Sequence, residues 1–277
     1  MILRLGLPLV VLAFATPCLA QQAIRIPVVE PGGTVDLTAQ LYRPASPAPA
    51  PAVAIFHGCG GVGVNNTRMA ELLRGWGYAA LAVDSFTVRH MTDVCGRHWP
   101  SQRDAEERMK DIDYSLLWLV AQSFVDRERL AFMGYSYGGG VALLRAFTPR
   151  VDERLPKAAA SVLVYPDCGL GAPLGASPRP QQPVMFAMAE LDDWTPAAVC
   201  QELIDRVKAG RILVETHVYA GAHHSFDALG LPVRYLPGVG NRSKPGGCCG
   251  AHYGANEPAW NAFVADVRAF LAKALAR

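Results

Sequence analysis

The chain has 277 residues, 51% of them hydrophobic and 18% charged, which is a globular composition with enough apolar material for a substantial core. A formal net charge of +2 is too small to argue for binding to nucleic acid or to an anionic membrane. These values exclude a disordered chain and a polybasic one.

Residues 1–20 begin with Arg4, continue through the apolar Leu5–Phe14 and end in Pro17-Cys18-Leu19-Ala20. This is the pattern of a secretory signal cut after Ala20, so residues 21–277 are expected to form one mature domain, periplasmic or secreted. The apolar stretch is too short to span a bilayer comfortably, and no stable membrane insertion is expected afterwards. Without Cys18 six cysteines remain, Cys59, Cys95, Cys168, Cys200, Cys248 and Cys249. An even number in an exported chain suggests disulfides. The sequence leaves their connectivity open, with Cys59–Cys95 and Cys168–Cys200 preferred and a bond between the neighbours Cys248 and Cys249 disfavoured. Zinc held by His90, Cys95 and His98, or by Cys248, Cys249 and His252, lacks finger spacing, and no metal or cofactor is expected.

Ala23–Val29 and Thr34–Tyr42 read as strands around the Pro31-Gly32-Gly33 turn; Val35, Leu37, Ala39 and Leu41 alternate with polar residues. Ala52–Phe56 is a continuous apolar run, as in a buried parallel strand. A helix follows at 67–76, then a strand at 78–83 ending on Asp84. Ser101 and Asp104 start a long helix whose apolar face is Met109, Ile112, Leu116 and Leu119. Leu130–Met133 is a further strand and Val141–Phe147 a helix. Strands at 158–165, 184–188 and 212–219, a helix at 196–209 and a closing helix capped by Asn256 complete the series. Such alternation means an α/β chain with a mostly parallel central sheet and helices on both faces. Residues 221–254 are rich in Gly and Pro with little periodicity, and read as a long loop that is either functional or decorative.

The chemistry centres on Gly134-Tyr135-Ser136-Tyr137-Gly138, a serine between two glycines where a strand turns into a helix. That context is the nucleophile elbow of an α/β-hydrolase, which lifts the hydroxyl above the sheet. A serine needs a neighbouring base, and the base needs a carboxylate to hold its tautomer. Asp192 follows the strand at 184–188 and His224 follows the strand at 212–219, giving the order Ser, Asp, His of that fold. Backbone donors for an oxyanion are expected from Tyr137 and from Cys59 in His57-Gly58-Cys59-Gly60-Gly61, with His57 bracing that loop. His224 must be neutral to act as base, so activity should fall in acid.

His57–Gly61, Val83-Asp84-Ser85-Phe86, Gly134–Gly139, Asp192-Asp193-Trp194-Thr195-Pro196 and His224-Ser225-Phe226 together resemble the dienelactone hydrolase family of α/β-hydrolases. The resemblance covers most of the mature sequence. Its D-x-x-x-P pattern selects Asp192 over Asp193, to which helix capping is left, and its H-S-F selects His224 over His223. It implies hydrolysis of a small ester or lactone through an acyl-enzyme, and puts Arg89 where the family can hold a substrate carboxylate. The family's elbow carries cysteine; Ser136 points instead to a general esterase. Trp194, beside the acid, reads either as pocket lining or as core.

Two other readings stand beside this one. Gly58-Cys59-Gly60-Gly61-Val62-Gly63 matches G-x-G-x-x-G, and Asp84 ends the next strand, as in a dinucleotide-binding oxidoreductase. The same fold could also serve as a non-catalytic module binding a ligand or partner.

Overall fold

The computed structural model describes residues 21–96, 101–150 and 152–276; the expected signal segment 1–20 and His98 lie outside them. An eight-stranded sheet has the order β1-β2-β4-β3-β5-β6-β7-β8. β1 (Gln21–Glu30) and β2 (Gly33–Tyr42) form an antiparallel hairpin that pairs antiparallel with β4 (Ala79–Asp84). From β4 onward, β3 (Ala50–Phe56), β5 (Val125–Tyr135), β6 (Ala160–Val164), β7 (Val184–Ala189) and β8 (Val214–Tyr219) run parallel.

The pattern of burial follows the residue types. β2 buries Leu37, Ala39 and Leu41 in alternation, whereas β6 and β7 are buried throughout, as a strand covered on both faces must be. One core layer packs Ile112, Leu116 and Leu119 of α2 (Gln102–Val120) and Val141 and Leu144 of α3 (Tyr137–Phe147) against the sheet. The other packs Met69 and Leu73 of α1 (Val64–Gly75) and Trp260, Phe263, Val267 and Phe270 of α5 (Glu257–Ala274). α2 begins with a reciprocal cap: Ser101 Oγ accepts from Asp104 N, and Asp104 Oδ2 from Ser101 N at 2.7 Å. Asn256 Oδ1 accepts from Ala259 N at 3.0 Å and opens α5. This is the α/β-hydrolase architecture.

Local differences from the sequence reading have simple causes. α3 starts at Tyr137, directly after the serine, because Gly138, Gly139 and Gly140 are packed so tightly that no side chain fits there. α4 (Ala197–Ile204) stops five residues before Ala209, and β8 begins only at Val214. The 221–254 segment is not structureless: β9 (Arg234–Leu236) and β10 (Ala251–Tyr253) form a small antiparallel sheet. Cys59–Cys95 and Cys168–Cys200 are bonded as preferred. Cys248 and Cys249, disfavoured as a pair, are joined to each other, since the other four cysteines are already taken. Among the described residues no helix is long and apolar enough to cross a membrane.

Candidate active site

β5 lies between β3 and β6, and its carboxyl end delivers Ser136 with φ 54° and ψ −119°. Few non-glycine residues adopt a positive φ, and such a conformation persists only where the surroundings enforce it. They do so here. A Cβ on Gly134 would strike the Gly138 carbonyl, and one on Gly138 would strike the Phe56 and His57 carbonyls. The glycines therefore let β5, α3 and the loop after β3 close on one another around Ser136.

The loops after β7 and β8 bring the partners. Ser136 Oγ lies 2.9 Å from His224 Nε2, and His224 Nδ1 lies 2.7 Å from Asp192 Oδ2. All three residues are buried. With Nδ1–H given to the carboxylate, Nε2 is left as the acceptor facing the serine hydroxyl. Asp192 Oδ1 accepts from Trp194 N at 2.9 Å and Thr195 N at 2.8 Å, so a tight turn fixes the carboxylate. Thr195 Oγ1 lies 3.0 Å from Asp192 Oδ2, 3.0 Å from the Tyr165 carbonyl and 3.1 Å from His224 Nδ1. The His224 ring is flanked by Tyr165 and Trp194, with centroids 4.7 and 4.8 Å away. Thr195 and Tyr165 were not singled out in the sequence; Thr195 sits inside the D-D-W-T-P motif, while nothing local marks Tyr165.

The loop after β3 is braced as expected. Ser85 N donates to His57 Nε2 at 3.1 Å, so the ring proton sits on Nδ1 and goes to Gly58 O at 2.7 Å. Burial, reinforced by the nearby Arg108 charge, depresses the His57 pKa to about 3. His57 is thus a neutral strut. Arg108, itself buried, donates to the His57 carbonyl at 3.1 Å and lies against the Phe86 and Tyr137 rings. Gly58 backs onto Ser136, its would-be Cβ only 3.2 Å from that of the serine. The next residue, Cys59, is tied to Cys95, and Tyr137 opens α3 with the unpaired N–H of a helix start. Tyr137 follows Ser136 directly in the chain, and Cys59 lines the same cavity as Ser136.

Three assignments are corrected. Arg89 does not reach the site: it donates to Glu30 and to both carboxylate oxygens of Asp111, at 2.7 and 3.0 Å, and to the Ser85 carbonyl. A guanidinium seated between two carboxylates has no vacant face for a substrate. Asp193 is not a helix cap; Pro196 occupies the N-cap of α4, which has no side-chain cap. Asp193 accepts from His252 N at 2.7 Å and pairs with His252 Nδ1 at 2.9 Å, while its carbonyl accepts from Asn241 Nδ2. Burial works against the Asp193 charge, but these His252 contacts hold its carboxyl below the usual range. The dinucleotide reading also falls. Asp84 caps the turn at 87–89 through Phe86 N and Thr87 N, and Gly58 of the glycine loop packs directly against Ser136. The cysteines of the disfavoured zinc sets are all in disulfides.

A cavity of about 280 Å³ opens over Ser136. Its walls are the glycine loop, Asn65 and Asn66 of α1, Tyr135 and Tyr165, with Trp194 near His224 and Leu236 and Tyr253 from the 221–254 segment. That segment is anchored at the site: Trp194 Nε1 donates to Gly240 O at 2.8 Å, and Gly240 N to Cys95 O at 2.9 Å. Trp194 is accordingly both cavity lining and buried core.

An eight-stranded sheet of this order with a strained serine between β5 and α3 defines an α/β-hydrolase. The family model for the dienelactone hydrolase family matches residues 37–271, and the chain belongs to that family. It is 26% identical over 195 residues to a probable 2-oxo-3-(5-oxofuran-2-ylidene)propanoate lactonase of Bradyrhizobium sp, covering 68% of this chain and 78% of that one. Similar folds are a putative dienelactone hydrolase from Klebsiella pneumoniae (17% identity, TM-score 0.63, 92% of this chain and 99% of that one) and Thermogutta terrifontis esterase 2 phosphorylated by paraoxon (19% identity, TM-score 0.64, 96% and 99%). Family membership makes this protein a hydrolase of ester bonds.

Proposed function

We propose that this chain cleaves a small carboxylic ester or lactone by two-step acyl transfer, with Ser136 as nucleophile, His224 as base and Asp192 as the orienting carboxylate. The observation that carries it is the unbroken hydrogen-bonded line Ser136 Oγ–His224 Nε2 and Nδ1–Asp192 Oδ2 at the floor of a cavity. As Oγ attacks the carbonyl carbon, Nε2 takes its proton, and Asp192 stabilises the imidazolium. The backbone N–H groups of Tyr137 and Cys59 receive the developing oxyanion. His224 then returns the proton to the leaving alcohol, and the reverse sequence with water releases the acid.

The buried Arg108 supports this reading, since it places positive charge behind the loop that carries Cys59. We further propose that residues 1–20 direct export, that residues 21–277 work as one domain, and that the disulfides form outside the cytoplasm; intact mass of the protein from fractionated cells tests this.

The test of the chemistry is labelling of the oxidised protein with a fluorophosphonate probe beside Ser136→Ala, with turnover of a short-chain aryl ester followed in parallel. Labelling and turnover should vanish together in the variant, kcat falling by at least about a thousandfold. A folded wild-type protein that neither labels nor turns over would leave a ligand-binding role as the better account.

A further inference from the structure

The glycine loop that carries Cys59 is held unevenly along its length. His57 and Gly58 are pinned by Ser85, by Arg108 and by packing on Ser136. Beyond them, Cys59-Gly60-Gly61-Val62-Gly63 forms neither helix nor strand before α1 begins, and its glycines leave the backbone unusual freedom. Cys59 sits where the two parts meet. It is 4% exposed, and no backbone carbonyl among the described residues accepts from its N–H. Buried N–H groups are nearly always paired, and this one is the donor assigned to the oxyanion.

The bonds that hold Cys59 come from the loop after the turn at 87–89. Its carbonyl accepts from Val94 N at 2.9 Å, and its side chain is bonded to Cys95. That side chain and the N–H leave the same Cα, so the covalent bond bears directly on where the donor points. Cys95 has a second attachment: its carbonyl accepts from Gly240 N at 2.9 Å. Gly240 O accepts in turn from Trp194 Nε1, whose ring flanks His224. An oxyanion donor must lie about 2.7–3.1 Å from the developing charge, and a misplacement of about 1 Å can cost a hundredfold in rate. A single hydrogen bond between two loops opens too readily to guarantee that tolerance.

We propose that Cys95 is a positioning residue for the oxyanion donor: the Cys59–Cys95 disulfide aims the Cys59 N–H, and the chemical step depends on this bond whereas ester binding does not. The proposal rests on the ester-hydrolase reading above. The Cys168–Cys200 bond provides an internal comparison. Its cysteines are 32 residues apart against 36 for Cys59–Cys95, so the two bonds constrain the unfolded chain almost equally. It joins the segment after β6 to α4 and leaves the glycine loop alone.

The experiment compares wild type, Cys59→Ala/Cys95→Ala and Cys168→Ala/Cys200→Ala with p-nitrophenyl butyrate and two inhibitors, a short alkyl trifluoromethyl ketone and the corresponding alcohol. Ser136 Oγ adds to the ketone carbon, its proton passing to His224, and the ketone oxygen becomes a tetrahedral oxyanion; the alcohol forms none. In Cys59→Ala/Cys95→Ala, which keeps the N–H at 59, kcat/KM should fall about a hundredfold and ketone KI rise by a similar factor, with alcohol KI within about twofold of wild type. Cys168→Ala/Cys200→Ala should melt lower by a similar amount, yet keep the wild-type kcat/KM and ketone-to-alcohol ratio. Should the first variant not fold, the bond is opened instead in the folded second variant with dithiothreitol, which gives it two electrons and two protons and closes to a cyclic disulfide. Activity should then disappear in step with the mass-mapped Cys59 and Cys95 thiols and return with oxidised glutathione. A wild-type ketone-to-alcohol ratio without the Cys59–Cys95 bond, or the same loss of turnover in both double variants, would overturn the proposal. Failure of the ester-hydrolase reading looks different: the wild type itself neither labels at Ser136 nor turns over the ester.

Discussion

The elbow and the 221–254 segment meet at one cavity but are held by different forces. Around Ser136 the chain is enclosed by apolar β3, β5, β6 and α3, with backbone packed on backbone at Gly134 and Gly138. The 221–254 segment is mixed: Ala222 and Phe226 at its start are fully buried in the core, whereas residues 234–253 contribute little more than Ala251, with Leu236 and Val239 packed beside it. This outer part is held largely by polar contacts, among them Asp193 to His252, Asn241 to the Asp193 carbonyl and Trp194 to Gly240. Close packing fixes a position to a fraction of an ångström, whereas isolated hydrogen bonds permit local opening. Ser136 thus sits in the closely packed part of the molecule, and the outer wall of the cavity, at 234–253, in the part that can open locally.

Substitutions can break this contrast, and the largest effect should come from the junction between the two halves. Asp192→Asn keeps the shape but lets His224 adopt the wrong tautomer; kcat should drop by about 10⁴ with little change in KM, read by steady-state kinetics. Next comes Gly138→Ala. Its methyl meets the Phe56 and His57 carbonyls, which are backbone and cannot move aside, so chemical denaturation should register a loss of about 3 kcal/mol or more, or no folded protein. Asp193→Ala should be milder, near 2 kcal/mol and local. Hydrogen exchange should quicken over 234–253 while β5 and α3 stay protected, and a small fluorophosphonate should still label Ser136. Equal loss of protection in both regions would show that they are one cooperative unit.

The effect that is smallest at neutral pH is a pH slope. His57 is held neutral in the folded protein, with a pKa of about 3 against an ordinary value near 6.5. The unfolded chain therefore binds the extra proton first as pH falls. Stability is unaffected above pH ~6.5 and declines between that value and about 3, by up to about 1.4 kcal/mol per pH unit from this group. His57→Gln should flatten that part of the stability–pH curve measured by denaturant titration. An unchanged slope would mean that His57 is not the group responsible.

Much of this arrangement was legible from local pattern. The continuous apolar run at 52–56 has the pattern of a covered strand, and the glycines flanking Ser136 mark a place where backbone approaches backbone. Asp192 and His224 were readable because each follows directly on a strand of a parallel sheet, whose carboxyl ends converge. The proposal of Cys59 and Tyr137 as oxyanion donors follows from the same logic.

Misread positions were those whose partner lies far away in sequence. Arg89 resembles a substrate-binding arginine until Glu30 and Asp111 come round to enclose it. Asp193 has the local setting of a helix cap, yet its partner is His252, 59 residues on. β9 and β10 are three residues each, too short for a periodicity to register, and exist as a sheet only because they pair with one another.

The sequence by itself determined the class of fold and which serine, aspartate and histidine the strand ends bring together, because periodicity, glycine placement and strand ends are properties of neighbouring residues. Only the tertiary structure decided which charges are neutralised and how the 221–254 segment is fastened. Burial and hydrogen-bond satisfaction are set by residues brought together from distant parts of the chain, and no local pattern records them.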